Sequence, residues 1–156
     1  MSSEDKNLSE FSSPLPDGSA YNIGIVCAEW NEKITSKLYS GALSILEKAR
    51  VYSENIVTAY VPGTFELPFA AQQLAQLEEI DGVICIGCVI QGETKHFDFI
   101  CQAAATGIMG VGLKFNKPVI FGVLTTNTMQ QAKDRAGGKH GNKGEEAAFS
   151  LLKMLS

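Results

Sequence analysis

Four nearly unbroken apolar runs, Tyr21 to Cys27, Ile56 to Tyr60, Val83 to Ile90 and Pro118 to Leu124, each give way to a stretch with helical spacing, and this alternation constrains the fold most. The spacing predicts helices from about Ile34 to Arg50, Phe65 to Leu77, Lys95 to Leu113, Met129 to Ala136 and Asn142 to Met154. Ile34, Leu38, Ala42, Ile45 and Ala49 mark one apolar helix face, and Ala147, Ala148, Leu151, Leu152 and Leu155 another. Each face needs a sheet to cover. Strands that are apolar along their whole length are buried on both sides, which points to a parallel sheet with right-handed crossovers.

The expected fold class is therefore α/β: a three-layer α/β/α sandwich around a four-stranded parallel sheet, of flavodoxin-like kind. With 156 residues, 45% of them hydrophobic, the chain suits one domain over residues 20–156. Residues 1–19 mix Ser, Pro, Asp and Gly around lone apolar residues such as Leu8 and Phe11, and read as a flexible N-terminal arm.

A formal net charge of -4 offers no broad basic field, which speaks against nucleic acid and against an anionic membrane surface. No apolar stretch is long enough to span a bilayer, and Met1 to Asp17 has neither a signal core nor an arginine. The expectation is a soluble cytoplasmic protein. Cys27, Cys85, Cys88 and Cys101 lie in or beside apolar runs and read as buried free thiols. Cys85 and Cys88 form a C-x-x-C, but on a strand their side chains face opposite ways, so no metal site is expected.

Open parallel sheets bind ligands beyond the carboxyl ends of their strands. Here those positions are polar and glycine-rich: Glu29-Trp30-Asn31, then Gly63-Thr64-Phe65-Glu66, then Gln91-Gly92-Glu93-Thr94-Lys95-His96, then Thr125-Thr126-Asn127-Thr128. All four loops are expected on one rim. Gly92, a threonine able to cap a helix and free N–H groups at the helix start make an anion site, and His96 follows as a proton carrier.

Each residue also has a plainer reading. Trp30 can stack on a flat heteroaromatic ring or cover a helix end. Asn31 can recognise a ligand amide or cap the following helix, and taken alone capping has the stronger claim. Glu66 can accept from hydroxyls or simply face a helix dipole, and Arg135 near a helix C-terminus is an ordinary dipole partner. Lys143 at a helix start has no such excuse. Thr128 and Gln131 suit a capping box, with Gly137 closing that helix.

The chain resembles the lumazine synthase family from Tyr21 onward. The motifs are Trp30-Asn31, Val61-Pro62-Gly63-Thr64-Phe65-Glu66-Leu67-Pro68, Gly92-Glu93-Thr94-Lys95-His96-Phe97-Asp98, Phe121-Gly122-Val123-Leu124-Thr125, and Arg135-Ala136-Gly137 followed by Gly141-Asn142-Lys143-Gly144. Trp30 stands where phenylalanine is commoner, and Gln91 where a basic residue is common.

The resemblance implies condensation of 5-amino-6-(D-ribitylamino)uracil with 3,4-dihydroxy-2-butanone 4-phosphate to 6,7-dimethyl-8-ribityllumazine, with no cofactor. It implies that Trp30 stacks on the pyrimidine, that Asn31 and the backbone of Val89 and Ile90 bind its edge, and that Gly63, Thr64, Phe65 and Glu66 position the ribityl chain. His96 becomes the proton shuttle, and Gly92, Glu93, Thr94 and Arg135 hold the phosphate. Phe121, Arg135 and Lys143 are implied to serve a neighbouring subunit, so that the site lies at an interface of a homo-oligomer. The resemblance further implies pentamers, an icosahedral shell of pentamers, an arm added to a neighbour's sheet, and riboflavin synthase as a partner. The competing reading is a non-catalytic flavin-binding or shell-forming protein of the same fold, opposed by an intact His96, Arg135 and Lys143. Flavodoxin-like electron transfer lacks its Ser/Thr-rich phosphate loop after the first strand.

Overall fold

The computed structural model describes Asn7 and residues 9–156. Four strands, β1 (Ile23–Ala28), β2 (Ile56–Val61), β3 (Gly82–Ile90) and β4 (Val119–Thr126), form a sheet in the order β2-β1-β3-β4. Every pairing is parallel. The helices are α1 (Glu32–Lys48), α2 (Leu67–Ala75), α3 (His96–Phe115), α4 (Met129–Asp134) and α5 (Lys143–Leu155).

The sheet is covered on both faces. Ile23, Ile25 and Cys27 of β1 and Ile84, Ile86 and Cys88 of β3 pack against α1, α4 and α5. Their neighbours in sequence, Val26 and Ala28 of β1 and Val83 and Cys85 of β3, point the other way onto α2 and α3. This two-residue alternation explains why all six residues of β1 are buried and why none is polar. It also sends Cys85 and Cys88 to opposite faces, as an extended strand requires. The three-layer α/β arrangement read from the apolar runs is the observed one.

Local boundaries differ where turns intervene. Tyr21 belongs to a turn rather than to β1: its N–H donates to Gly18 O at 3.0 Å and its hydroxyl to Leu155 O at 2.6 Å. The second helix is preceded by a 3₁₀ turn over Thr64–Glu66, because Pro68 has no N–H with which to close an α-helical bond onto Thr64. The fourth helix stops at Asp134, not Ala136. Ala136 instead opens a small antiparallel ribbon, β5 (Ala136–Gly138) with β6 (Gly141–Asn142). Gly137 and Gly141 hold positive φ angles of 93° and 84° there, so Gly137 shapes the ribbon instead of closing the helix.

Of the expected arm, Met1–Lys6 and Leu8 lie outside the described residues. The remainder forms no strand within this chain and lies over α5 and the end of α1. Phe11 stacks on Phe149 with ring centroids 3.9 Å apart, the Gly18 N–H donates to Ala49 O, and the Ser9 hydroxyl accepts from the Asn142 N–H at 2.7 Å. Among the described residues no helix is long and apolar enough to cross a membrane.

Candidate active site

β3 outruns β1. The two strands pair from Ile23 opposite Gly82 to Cys27 opposite Ile86, and the ladder ends there. On its other side β3 stays paired to its last residue, Ile90 opposite Thr126. Beyond Ile86 the β3 backbone groups that face β1, the Cys88 carbonyl among them, have no strand partner, and this end of β3 (Cys88, Val89 and Ile90) forms the floor of a cleft of about 560 Å³. Unpaired strand-edge groups of this kind can read the donor and acceptor edge of a flat heterocycle.

The wall beside this floor comes from the ends of β1 and β2. Glu29 and Trp30 donate their N–H groups to Val61 O and Pro62 O at 2.8 and 3.0 Å, which locks the two strand exits together. Trp30 is 69% exposed at the rim, where a ring can stack on its indole. Asn31 adopts the left-handed conformation at φ 62° and makes no side-chain cap. Its Nδ2 donates instead to Cys88 O at 2.8 Å, across the gap that β1 leaves. The capping reading of Asn31 is thus corrected: a side-chain cap needs extended backbone at that position, and the left-handed turn aims the amide elsewhere.

Opposite lies the turn Gly63–Glu66. The Glu66 carboxylate accepts from the Gly63 N–H at 3.0 Å, which orients it within the turn. Thr64 is buried, and it fits because Gly87 on β3 has no side chain: a Cβ there would stand 2.8 Å from Thr64 Oγ1. Phe65 is exposed toward the opening.

His96 begins α3 and lines the cleft, with its N–H donating to the Thr94 hydroxyl at 3.3 Å. Thr94 thus partly fulfils the capping expected of it, although Lys95 occupies the cap position. Gly92, Glu93 and Thr94 form an exposed turn just before His96, outside the cleft lining. The Gln91 N–H donates to Thr126 O at 2.8 Å and so anchors this turn to β4. The stretch Thr125–Thr128 at the end of β4 supplies that anchor but no lining residue, so three of the four expected loops build the cleft.

Within one chain the cleft brings together Trp30, Asn31, Gly63, Thr64, Phe65, Glu66, Val89, Ile90 and His96. Phe121, Arg135 and Lys143 are elsewhere. Phe121 sits opposite Cys85 in the middle of the edge strand β4. Arg135 and Lys143 both contact the Glu146 carboxylate, Arg135 at 3.0 Å and Lys143 at 3.4 Å.

Cys88 and Ile100 also line the cleft and were not singled out from sequence. Both carried a signal: Cys88 shares a strand face with Ile90, and Ile100 follows His96 by four residues on a helix. Burial pushes the Cys88 thiol up to about 11, so it stays protonated near neutrality and is poorly suited to nucleophilic attack. Cys101, expected to be buried, is half-buried.

Residues 20–156 match the family model for 6,7-dimethyl-8-ribityllumazine synthase. The chain is 62% identical over 156 residues to the 6,7-dimethyl-8-ribityllumazine synthase of Cytophaga hutchinsonii, covering 100% of this chain and 98% of that protein. It is 52% identical over 157 residues to the protein of that name from Parabacteroides distasonis, again covering 100% and 98%. The one from Porphyromonas gingivalis is 52% identical over 149 residues, covering 95% of this chain and 92% of the relative. Family model and relatives agree, and the chain belongs to the 6,7-dimethyl-8-ribityllumazine synthase family.

Proposed function

We propose that this enzyme condenses 5-amino-6-(D-ribitylamino)uracil with 3,4-dihydroxy-2-butanone 4-phosphate to 6,7-dimethyl-8-ribityllumazine, releasing phosphate and water, as the penultimate step of riboflavin biosynthesis. The observation that carries the reading is one cleft in which an exposed indole, open backbone groups and a histidine meet, in a chain whose relatives bear this enzyme's name. Amine and ketone form an imine with loss of water, phosphate leaves, and ring closure expels a second water. These steps need two substrates held together and protons moved, both of which positioned side chains supply.

In this reading Trp30 stacks on the pyrimidine, while Asn31 and the backbone of Val89 and Ile90 take its polar edge. Gly63, Thr64, Phe65 and Glu66 hold the ribityl chain, Glu66 through the carboxylate oriented by Gly63. His96 carries the proton. Gly92, Glu93 and Thr94 hold the phosphate at the start of α3, where N–H groups and the helix dipole favour an anion.

Phe121, Arg135 and Lys143 complete the cleft of a neighbouring subunit in a pentamer. Their position outside this chain's own cleft supports that assignment. The free edge of β2 is a place where a neighbour's N-terminal arm can add a strand, and pentamers can close further into an icosahedral shell with riboflavin synthase as partner. Unpaired thiols suit a reducing cytoplasm.

The test mixes purified protein with both substrates and follows lumazine fluorescence. Wild type should form product well above the uncatalysed rate, and His96→Ala should lower kcat by about a hundredfold. Wild-type product no faster than background, with riboflavin bound instead, would select the non-catalytic alternative. Light scattering then separates a pentamer from a shell.

A further inference from the structure

Glu146 faces two cations at once. Its Oε2 accepts from Arg135 Nη2 at 3.2 Å and from Lys143 Nζ at 3.4 Å, and its Oε1 lies 3.0 Å from Arg135 Nη1. Arg135 Nη1 donates to His140 O at 3.1 Å, and the Arg135 carbonyl accepts from the Lys143 N–H at 2.9 Å. The guanidinium is thus braced by the ribbon, and both cations are tied to one carboxylate. Glu146 is 15% exposed and Arg135 19%, so this is a half-closed cluster, not a solvated surface pair.

Stability does not account for this arrangement. Despite the nearby guanidinium, Oε1 is buried and has no aligned hydrogen-bond donor. Replacing such a partly buried ion pair by apolar residues of similar volume is often neutral or stabilising, so stability alone does not call for three charges here. What the carboxylate does supply is order. Arginine and lysine side chains lose much rotamer freedom when they grip a ligand, and that cost falls if they are already held.

We propose that Glu146 is a positioning residue that presents Arg135 and Lys143 as a preformed pair to the phosphate-bearing substrate. The inference rests on the assignment of those two cations to a neighbour's cleft. It names a residue that touches no substrate and acts only through the orientation of the two that do.

The test is Glu146→Gln in the assembled enzyme, with KM measured separately for each substrate. Two effects oppose each other there: the variant adds net positive charge, which attracts the phosphate, and it frees both cations, which weakens their grip. Positioning predicts that KM for the butanone phosphate rises about tenfold, while KM for the ribitylaminouracil stays within about twofold. Glu146→Asp keeps the charge but draws it back by one methylene, and should give a smaller rise. A lowered KM in Glu146→Gln with Glu146→Asp unchanged would mean that the carboxylate acts through charge alone, and would overturn the proposal. So would a lower Tm with both KM values unchanged, which marks a structural role. Should Glu146→Gln fail to assemble, an unchanged KM in Glu146→Asp is the overturning result. Arg135→Ala separates the two levels: if it raises the butanone phosphate KM and Glu146→Gln does not, only the positioning role falls. If Arg135→Ala leaves that KM unchanged, the assignment of Arg135 to the phosphate falls, and the positioning role with it.

Discussion

The side-chain amide of Asn31 donates to the main-chain carbonyl of Cys88 at 2.8 Å, joining the end of β1 to the part of β3 that extends past it. One hydrogen bond thereby closes the cleft floor at the point where the sheet ladder stops. It also satisfies a strand carbonyl that has lost its neighbour.

Removing this bond should be costly in a divisible way. Asn31→Ala loses the hydrogen bond and places an alanine at φ 62°, for a total of about 2 to 3 kcal/mol. Asn31→Gly loses the bond but adopts the left-handed conformation freely, and should cost about 1 kcal/mol less. Urea denaturation of both variants measures the difference; equal losses would show that backbone conformation contributes nothing here.

The indole of Trp30 lies against Gly63, where an added Cβ would stand 3.0 Å from Trp30 Cε3 and 3.2 Å from Glu66 Oε2. Gly63→Ala should displace the ring and shift its fluorescence, which is the only tryptophan signal in the chain. Trp30→Ala should raise KM for the ribitylaminouracil about three- to tenfold, the worth of one aromatic stack, and Trp30→Phe much less. Equal KM values for wild type, Trp30→Ala and Trp30→Phe would remove the indole from the pyrimidine site.

Gly144 lies where α5 packs directly on the backbone of α1. A Cβ there would overlap the Leu38 carbonyl, a backbone atom in α1 that cannot move aside. Gly144→Ala should therefore destabilise the fold by about 3 kcal/mol or more despite the higher helix propensity of alanine. A Tm equal to wild type would show that the two helices separate without penalty.

Alkaline pH should weaken the fold through its buried thiols. Burial raises Cys27 and Cys88 from 9.0 to about 11, and raises Cys85 as well. The unfolded chain then releases these protons first, so their contribution is intact below pH 9 and is lost as pH climbs toward 11. Each thiol should contribute a slope of about 1.4 kcal/mol per pH unit in that window. Denaturation midpoints at pH 8, 9 and 10 check the sign, and Cys88→Ala should flatten the slope by one thiol's share.

The fold class was legible because burial on both faces leaves a plain mark: a strand such as Ile23–Ala28 can be apolar throughout only if helices cover each side. Loop exits were legible for the same reason, since polar Trp30-Asn31 and Gly63-Thr64-Phe65-Glu66 interrupt apolar runs at strand ends. Even so, the ribbon over Ala136–Asn142 was read as helix and loop, because its two glycines and two-residue pairing carry no strand periodicity.

Sequence by itself thus determined the layers, the order of strand and helix, and which residues stand at strand exits, since periodicity and composition are local quantities. Only the tertiary structure decided how far β3 runs beyond β1, that Asn31 bridges to Cys88 instead of capping, and that Glu146 gathers Arg135 and Lys143. Those are matters of register and of side-chain direction between segments distant in the chain, and no periodicity within one segment records where another will lie.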